Sequence, residues 1–110
     1  MDITFNQAID MYRKIVRRFS KIEGKTWGVE GAMMELSKQV GELSKCVMLQ
    51  ENYYCFQADN TEENRSKIGN ELADVMGQLI RIADYYNIDL QEAYLAARED
   101  EDNYLKSKGI

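Results

Sequence analysis

Residues 61–89, TEENRSKIGNELADVMGQLIRIADYYNID, decide how the rest of the chain is read. Ile68, Leu72, Val75, Leu79, Ile82 and Tyr86 recur every three or four residues, which sets them on one face of an α-helix. Thr61 stands where an N-cap is wanted, and Glu62 and Glu63 put negative charge in the first turn, where the helix dipole favours it. Asn87 is a stop signal, so the spacing predicts a helix from Thr61 to Tyr86. Along one flank of its apolar stripe run Glu71, Asp74, Gln78 and Arg81.

The same period extends in both directions. Upstream, Val29, Met33, Leu36, Val40, Leu43 and Val47 predict a helix over 28–53, edged by Glu35, Gln39, Glu42 and Cys46. Phe5, Ile9, Tyr12, Ile15 or Val16, Phe19 and Ile22 predict another over 4–23, with Thr4 and Gln7 as a capping box and Gly24 as a left-handed C-terminal cap. Downstream, Asp89 with Glu92 reads as a second capping box opening a helix to Lys106. Residues 54–60 lack any period and form the longest link, and the chain has no proline to interrupt a helix. The expectation is an all-α, four-helix bundle-like fold in one domain spanning residues 1–110. Gly41, Gly69 and Gly77 fall inside predicted helices, where each costs up to about 1 kcal/mol against alanine. They serve either close helix approach or room for a ligand beside Glu42, Glu71 and Asp74.

Composition narrows the chemistry. A net charge of −5 opposes nucleic acid and anionic lipid surfaces, which need a concentrated positive field. No apolar run is long enough to span a bilayer, and MDITFNQAID is no signal peptide, so the expected location is cytoplasmic. With no histidine, and with Cys46 and Cys55 outside any CxxC spacing, a zinc site or a histidine-activated nucleophile is excluded and chemistry must rest on carboxylates. A 110-residue domain buries a modest share of its surface, so self-association would add stability.

Carboxylates on two rigid helices suit Mg²⁺, which takes six oxygens and leaves positions for water and phosphate. If the second and third helices pack antiparallel through their apolar faces, Glu35 and Glu42 face Glu71 and Asp74 across a groove, where only a cation relieves their repulsion. The bland alternative is that each acidic edge is a solvated face.

The combined string adds to this reading. ELSKQVGELSK, containing Glu42, followed by Glu71-Leu72-Ala73-Asp74 within IGNELADVMGQLIRIADYYNIDL, resembles the MazG-like all-α nucleoside triphosphate pyrophosphohydrolase family, whose pattern is EExxE on one helix and ExxD on the next. The resemblance covers residues 27–104. Lys38 and Gln39 stand where the family has adjacent glutamates, so Glu35, one turn before Gln39, is the substitute carboxylate. The resemblance implies a MazG fold as a homodimer or homotetramer. It also implies Mg²⁺, with Mn²⁺ as a possible replacement, and hydrolysis of a nucleoside triphosphate to monophosphate and pyrophosphate in nucleotide-pool housecleaning. Glu42, Glu71 and Asp74 would be ligands, with Glu35 as a fourth ligand or the base orienting the attacking water. Arg98 and Asn103 stand in for a Lys and Asn pair on the family's last helix. Trp27 offers a ring to stack on a base or to bury, and Lys38, Gln39 and Arg81 reach for substrate or neutralise neighbouring acids. The alternative is a MazG-like module of impaired turnover that binds a nucleotide or a protein.

Overall fold

A computed structural model of the chain describes residues 2–53 and 60–110. It contains four helices, α1 Phe5–Phe19, α2 Val29–Gln50, α3 Thr61–Tyr85 and α4 Leu90–Ser107, and no strand among the described residues. The all-α expectation therefore holds. Tyr54, Cys55 and most of the expected 54–60 link lie outside the described residues.

Capping chemistry sets the helix ends. The Thr4 hydroxyl accepts from the Gln7 N–H at 3.1 Å while Gln7 Oε1 accepts from the Thr4 N–H at 2.7 Å, completing the expected capping box. Asp89 caps α4 by accepting from the Glu92 N–H at 3.0 Å. The cap of α3 is Asn60, whose Oδ1 accepts from the Glu63 N–H at 3.0 Å, so Thr61 is the first helical residue instead. Asn87 takes a left-handed φ of 56°, and the Ile88 N–H reaches back to the Ala83 carbonyl at 2.8 Å, the closure that stops α3. Asn52 repeats the device at φ 59°, with the Tyr53 N–H on the Met48 carbonyl at 2.9 Å, which ends α2 before the expected residue 53. Gly24 is not the left-handed cap of α1. That helix ends at Phe19 in a tightened turn, with the N–H groups of Ile22 and Glu23 both on the Phe19 carbonyl.

The chain divides into two compact units. One combines the N-terminal segment through Gly24 with Ala83–Ile110, and the other is Lys25–Ile82. In the first, Arg13 holds Asp84 through Nε and Nη2, with contacts of 2.8 to 3.1 Å, and holds Asp10 through Nη1 at 2.7 Å. These two carboxylates, Asp84 foremost, push the Arg13 guanidinium above its ordinary range, so it stays charged at any working pH. Ile9 and Ala83 are the buried apolar residues of this unit.

The second unit is an antiparallel pair. Asn64, near the start of α3, donates from Nδ2 to the Cys46 carbonyl and to Gln50 Oε1, both at 2.9 Å, near the end of α2. At the opposite end the Arg81 guanidinium lies 5.0 Å from the centre of the Trp27 ring, just before α2. Both helices rise equally per residue, so one heptad onward from the Asn64–Cys46 tie Glu71 comes level with Gln39, and a second heptad brings Gln78 level with Ala32. Burial follows this seam. Asn64, Gln78 and Ala32 are buried, while Ile68, Glu71, Val75, Ile82, Leu36, Gln39, Leu43 and Cys46 are half-buried.

The seam keeps half of the expected stripes, Val29, Leu36 and Leu43 on α2 and Ile68, Val75 and Ile82 on α3, and leaves the other half outside. Leu72 is 55% exposed and Leu79 43%, and Met33, Val40, Val47 and Tyr86 are exposed as well. Both helices carry apolar residues on two neighbouring faces, and the closed face is the one where Asn64 satisfies its amide.

Candidate functional site

Several of the expected site residues gather at the start of α2. An open cavity of about 640 Å³ is lined by Lys25, Trp27, Glu30, Met34, Glu35 and Lys38. Gly28 precedes α2 as an N-cap without a side chain, so no side-chain oxygen covers the first N–H groups of that helix. Gly31 lets the Trp27 ring lie close, since a Cβ there would stand 3.3 Å from the ring. Arg81 covers the ring from α3, so Trp27 is partly enclosed and still open enough to meet a ligand.

Glu35 is tied to its own helix. Gln39 Nε2 donates to Glu35 Oε1 at 2.9 Å, and Lys38 Nζ stands 3.5 Å from the same oxygen. Lys38 and Gln39 therefore both hold the Glu35 carboxylate. An exposed lysine pair of this length contributes less than about 1 kcal/mol and yields readily, whereas the half-buried amide bond is the firmer of the two.

On α3 the seam contains the anomaly. Glu71 Oε2 and Gln78 Oε1 are both shut off from solvent without a hydrogen-bond partner among the described residues, and Gln78 is only 6% exposed. Buried acceptors left unpaired cost on the order of 1–3 kcal/mol each. Asp74, one turn from Glu71, is exposed, as is Glu42 on α2. Among the described residues, no three His, Cys, Asp or Glu side chains stand close enough to form a metal-holding group. Glu35, Glu42, Glu71 and Asp74 are thus not gathered into one cluster, and what the seam offers a hard cation is the single oxygen donor of Glu71.

Arg98 and Asn103 lie on α4, in the other unit. Arg98 pairs with Glu101 and lies 4.9 Å from the centre of the Tyr94 ring, and hydrogen bonding, to Tyr94 foremost and then to Glu101, raises its pKa. Asn103 is exposed. Sequence reasoning placed Gln78 on the acidic flank without a role and passed over Asn64. The signal was the heptad spacing of Asn64, Glu71 and Gln78, three polar residues along what became the buried seam.

No protein-family model matches the chain, and neither a curated protein nor a solved structure matches it.

Proposed function

We propose that the chain is a Mg²⁺-dependent nucleoside triphosphate pyrophosphohydrolase with a MazG-like fold, located in the cytoplasm and assembled as a homodimer or homotetramer. The observation that carries this reading is the buried, unpartnered Glu71 Oε2, on the same helix as the ExxD string. A carboxylate oxygen kept from water and from every donor is stabilised by a cation more than by anything else. Glu71 is thus the anchoring ligand, and the reading assigns the exposed Glu42 and Asp74 as the further ones. Mg²⁺ when bound neutralises phosphate charge and acidifies a coordinated water. Glu35 orients the attacking water or takes its proton once Lys38 turns to a phosphate oxygen. Gln39 fixes the Glu35 carboxylate, Trp27 offers a stacking face to the base, and Arg81 supports that ring. Arg98 and Asn103 enter on the resemblance alone. The exposed rows Met33, Val40 and Val47 on α2 and Leu72, Met76 and Leu79 on α3 favour self-association.

Pyrophosphate release from a panel of nucleoside triphosphates, with and without Mg²⁺, tests the proposal. Absence of release from every nucleotide at high protein concentration would overturn it. Glu71→Gln and Asp74→Asn should each lower turnover by roughly a hundredfold or more with helix content unchanged, since each removes a charge and little volume. Full activity in both would place the site elsewhere. The grip of Lys38 and Gln39 on Glu35 favours a second reading, a nucleotide-binding module without turnover. Saturable nucleotide binding with no pyrophosphate release would select it.

A further inference from the structure

Within the unit that contains α1 and α4, charge is segregated by helix. Residues 5–24 hold five of the fourteen basic residues, Arg13, Lys14, Arg17, Arg18 and Lys21, against two acidic ones, Asp10 and Glu23. Arg13 is engaged by Asp84 and Asp10, while Lys14, Arg17, Arg18 and Lys21 are exposed. Interleaved with them at helical spacing are Met11, Ile15, Phe19 and Ile22, all exposed, and a groove of about 320 Å³ opens between Ile15, Arg18, Phe19 and Ile22. The face is basic, apolar and indented.

α4 has the opposite character. It buries no residue along its 18-residue length, and only Leu90 and Gln91 at its start are half-buried. A helix of this length without a packed face is marginal in water, so a covering surface is needed. Its later turns present Tyr94 and Leu95, then Glu99, Asp100, Glu101 and Asp102, then Tyr104 and Leu105, all exposed. An acidic turn, in which Glu101 pairs with Arg98 and Asp102 with Lys106 along α4 itself, is thus bracketed by two apolar pairs.

We infer that α4 of one copy docks along α1 of a second copy, an apolar side chain of α4 entering the Ile15–Phe19–Ile22 groove while the Glu99–Asp102 turn meets Lys14, Arg17, Arg18 and Lys21. The occupant is a second copy because the two faces complement each other in sign and in apolar spacing, and each protomer owns one of each. A two-fold axis then uses both faces twice, doubling the buried area and closing the assembly. Charge also sets the partner, since α1 against α1, or α4 against α4, juxtaposes like charges.

Charge reversal tests this without relying on nucleotide activity. One full-length variant carries Arg17→Glu, Arg18→Glu and Lys21→Glu, and another carries Glu99→Lys, Asp100→Lys and Glu101→Lys. In sedimentation, each variant alone should show half the mass of the unaltered protein, with self-association weakened at least about tenfold. An equimolar mixture should recover the full mass, because the acidic α1 of one then meets the basic α4 of the other. That recovery also shows that both variants fold. If the unaltered protein is a monomer, if neither reversal alters its mass, or if the mixture fails to recover the mass, the inference is overturned. Unchanged mass in both variants, with assembly intact, would assign self-association to the apolar rows of α2 and α3 instead.

Discussion

At the scale of single residues, the seam between α2 and α3 is governed by three polar side chains one heptad apart, and they differ in how well they are satisfied. Asn64 gives both amide hydrogens to acceptors on α2, so Asn64→Ala removes two hydrogen bonds across the seam. The expected loss is about 2–3 kcal/mol in urea unfolding, without change in helix content. Gln78 is the reverse case, a buried amide with its oxygen unpaired. Gln78→Met keeps the volume and deletes the unmet acceptor, so stability should rise by about 1 kcal/mol. A loss of that size would mean that Gln78 has a partner that Met cannot replace. Glu71 shares the defect but carries a charge, and relief there comes from a cation instead of an apolar substitute.

An amide at position 39 has a physical meaning at this scale. Gln39 stands level with Glu71, where a second carboxylate would add repulsion that a cation must offset. An amide removes that charge and spends its N–H on Glu35, leaving Glu71 as the one half-buried carboxylate at that level.

At the scale of helices, the interior glycines separate by environment. A Cβ at Gly41 or at Gly69 would meet nothing within 4 Å, so neither allows a close helix approach among the described residues. Gly41→Ala and Gly69→Ala should each raise stability by about 0.5–1 kcal/mol in thermal unfolding, the full helix-propensity gain. If either variant gains that stability yet loses activity or assembly, the space beside the glycine serves a ligand or a partner. Gly31 differs because its neighbour is the Trp27 ring. Gly31→Ala must displace the ring by a few tenths of an ångström, and with Trp27 as the chain's single tryptophan the shift should appear directly in its emission spectrum.

At the scale of the whole molecule, the apolar core is small. Ile9, Ala32, Ile80 and Ala83 are the buried hydrophobic residues among those described, while many larger ones are exposed. Stability should therefore depend on what the protein binds. Mg²⁺ at a hundred times its dissociation constant would add about 2.7 kcal/mol, read as a rise in melting temperature that disappears in Glu71→Gln. A melting temperature indifferent to Mg²⁺ in the unaltered protein would argue against a metal at Glu71.

Four helices, their order and most of their ends were legible in the sequence, because Thr4, Asp89 and Asn87 act locally and their partners lie within a few residues. Local chemistry also put Glu35, Glu42, Glu71 and Asp74 on helix faces beside apolar stripes. Periodicity could not choose between two adjacent apolar faces on α2 and α3, since both satisfy the same three-and-four spacing. Only the contacts across the seam decided it. Asn64 on Cys46 and Gln50, and Arg81 on Trp27, turned both helices so that Glu71 and Gln78 went inside while Leu72 and Leu79 stayed out. Helices form from neighbours in sequence, but which face they bury is settled by the partners that satisfy their polar groups.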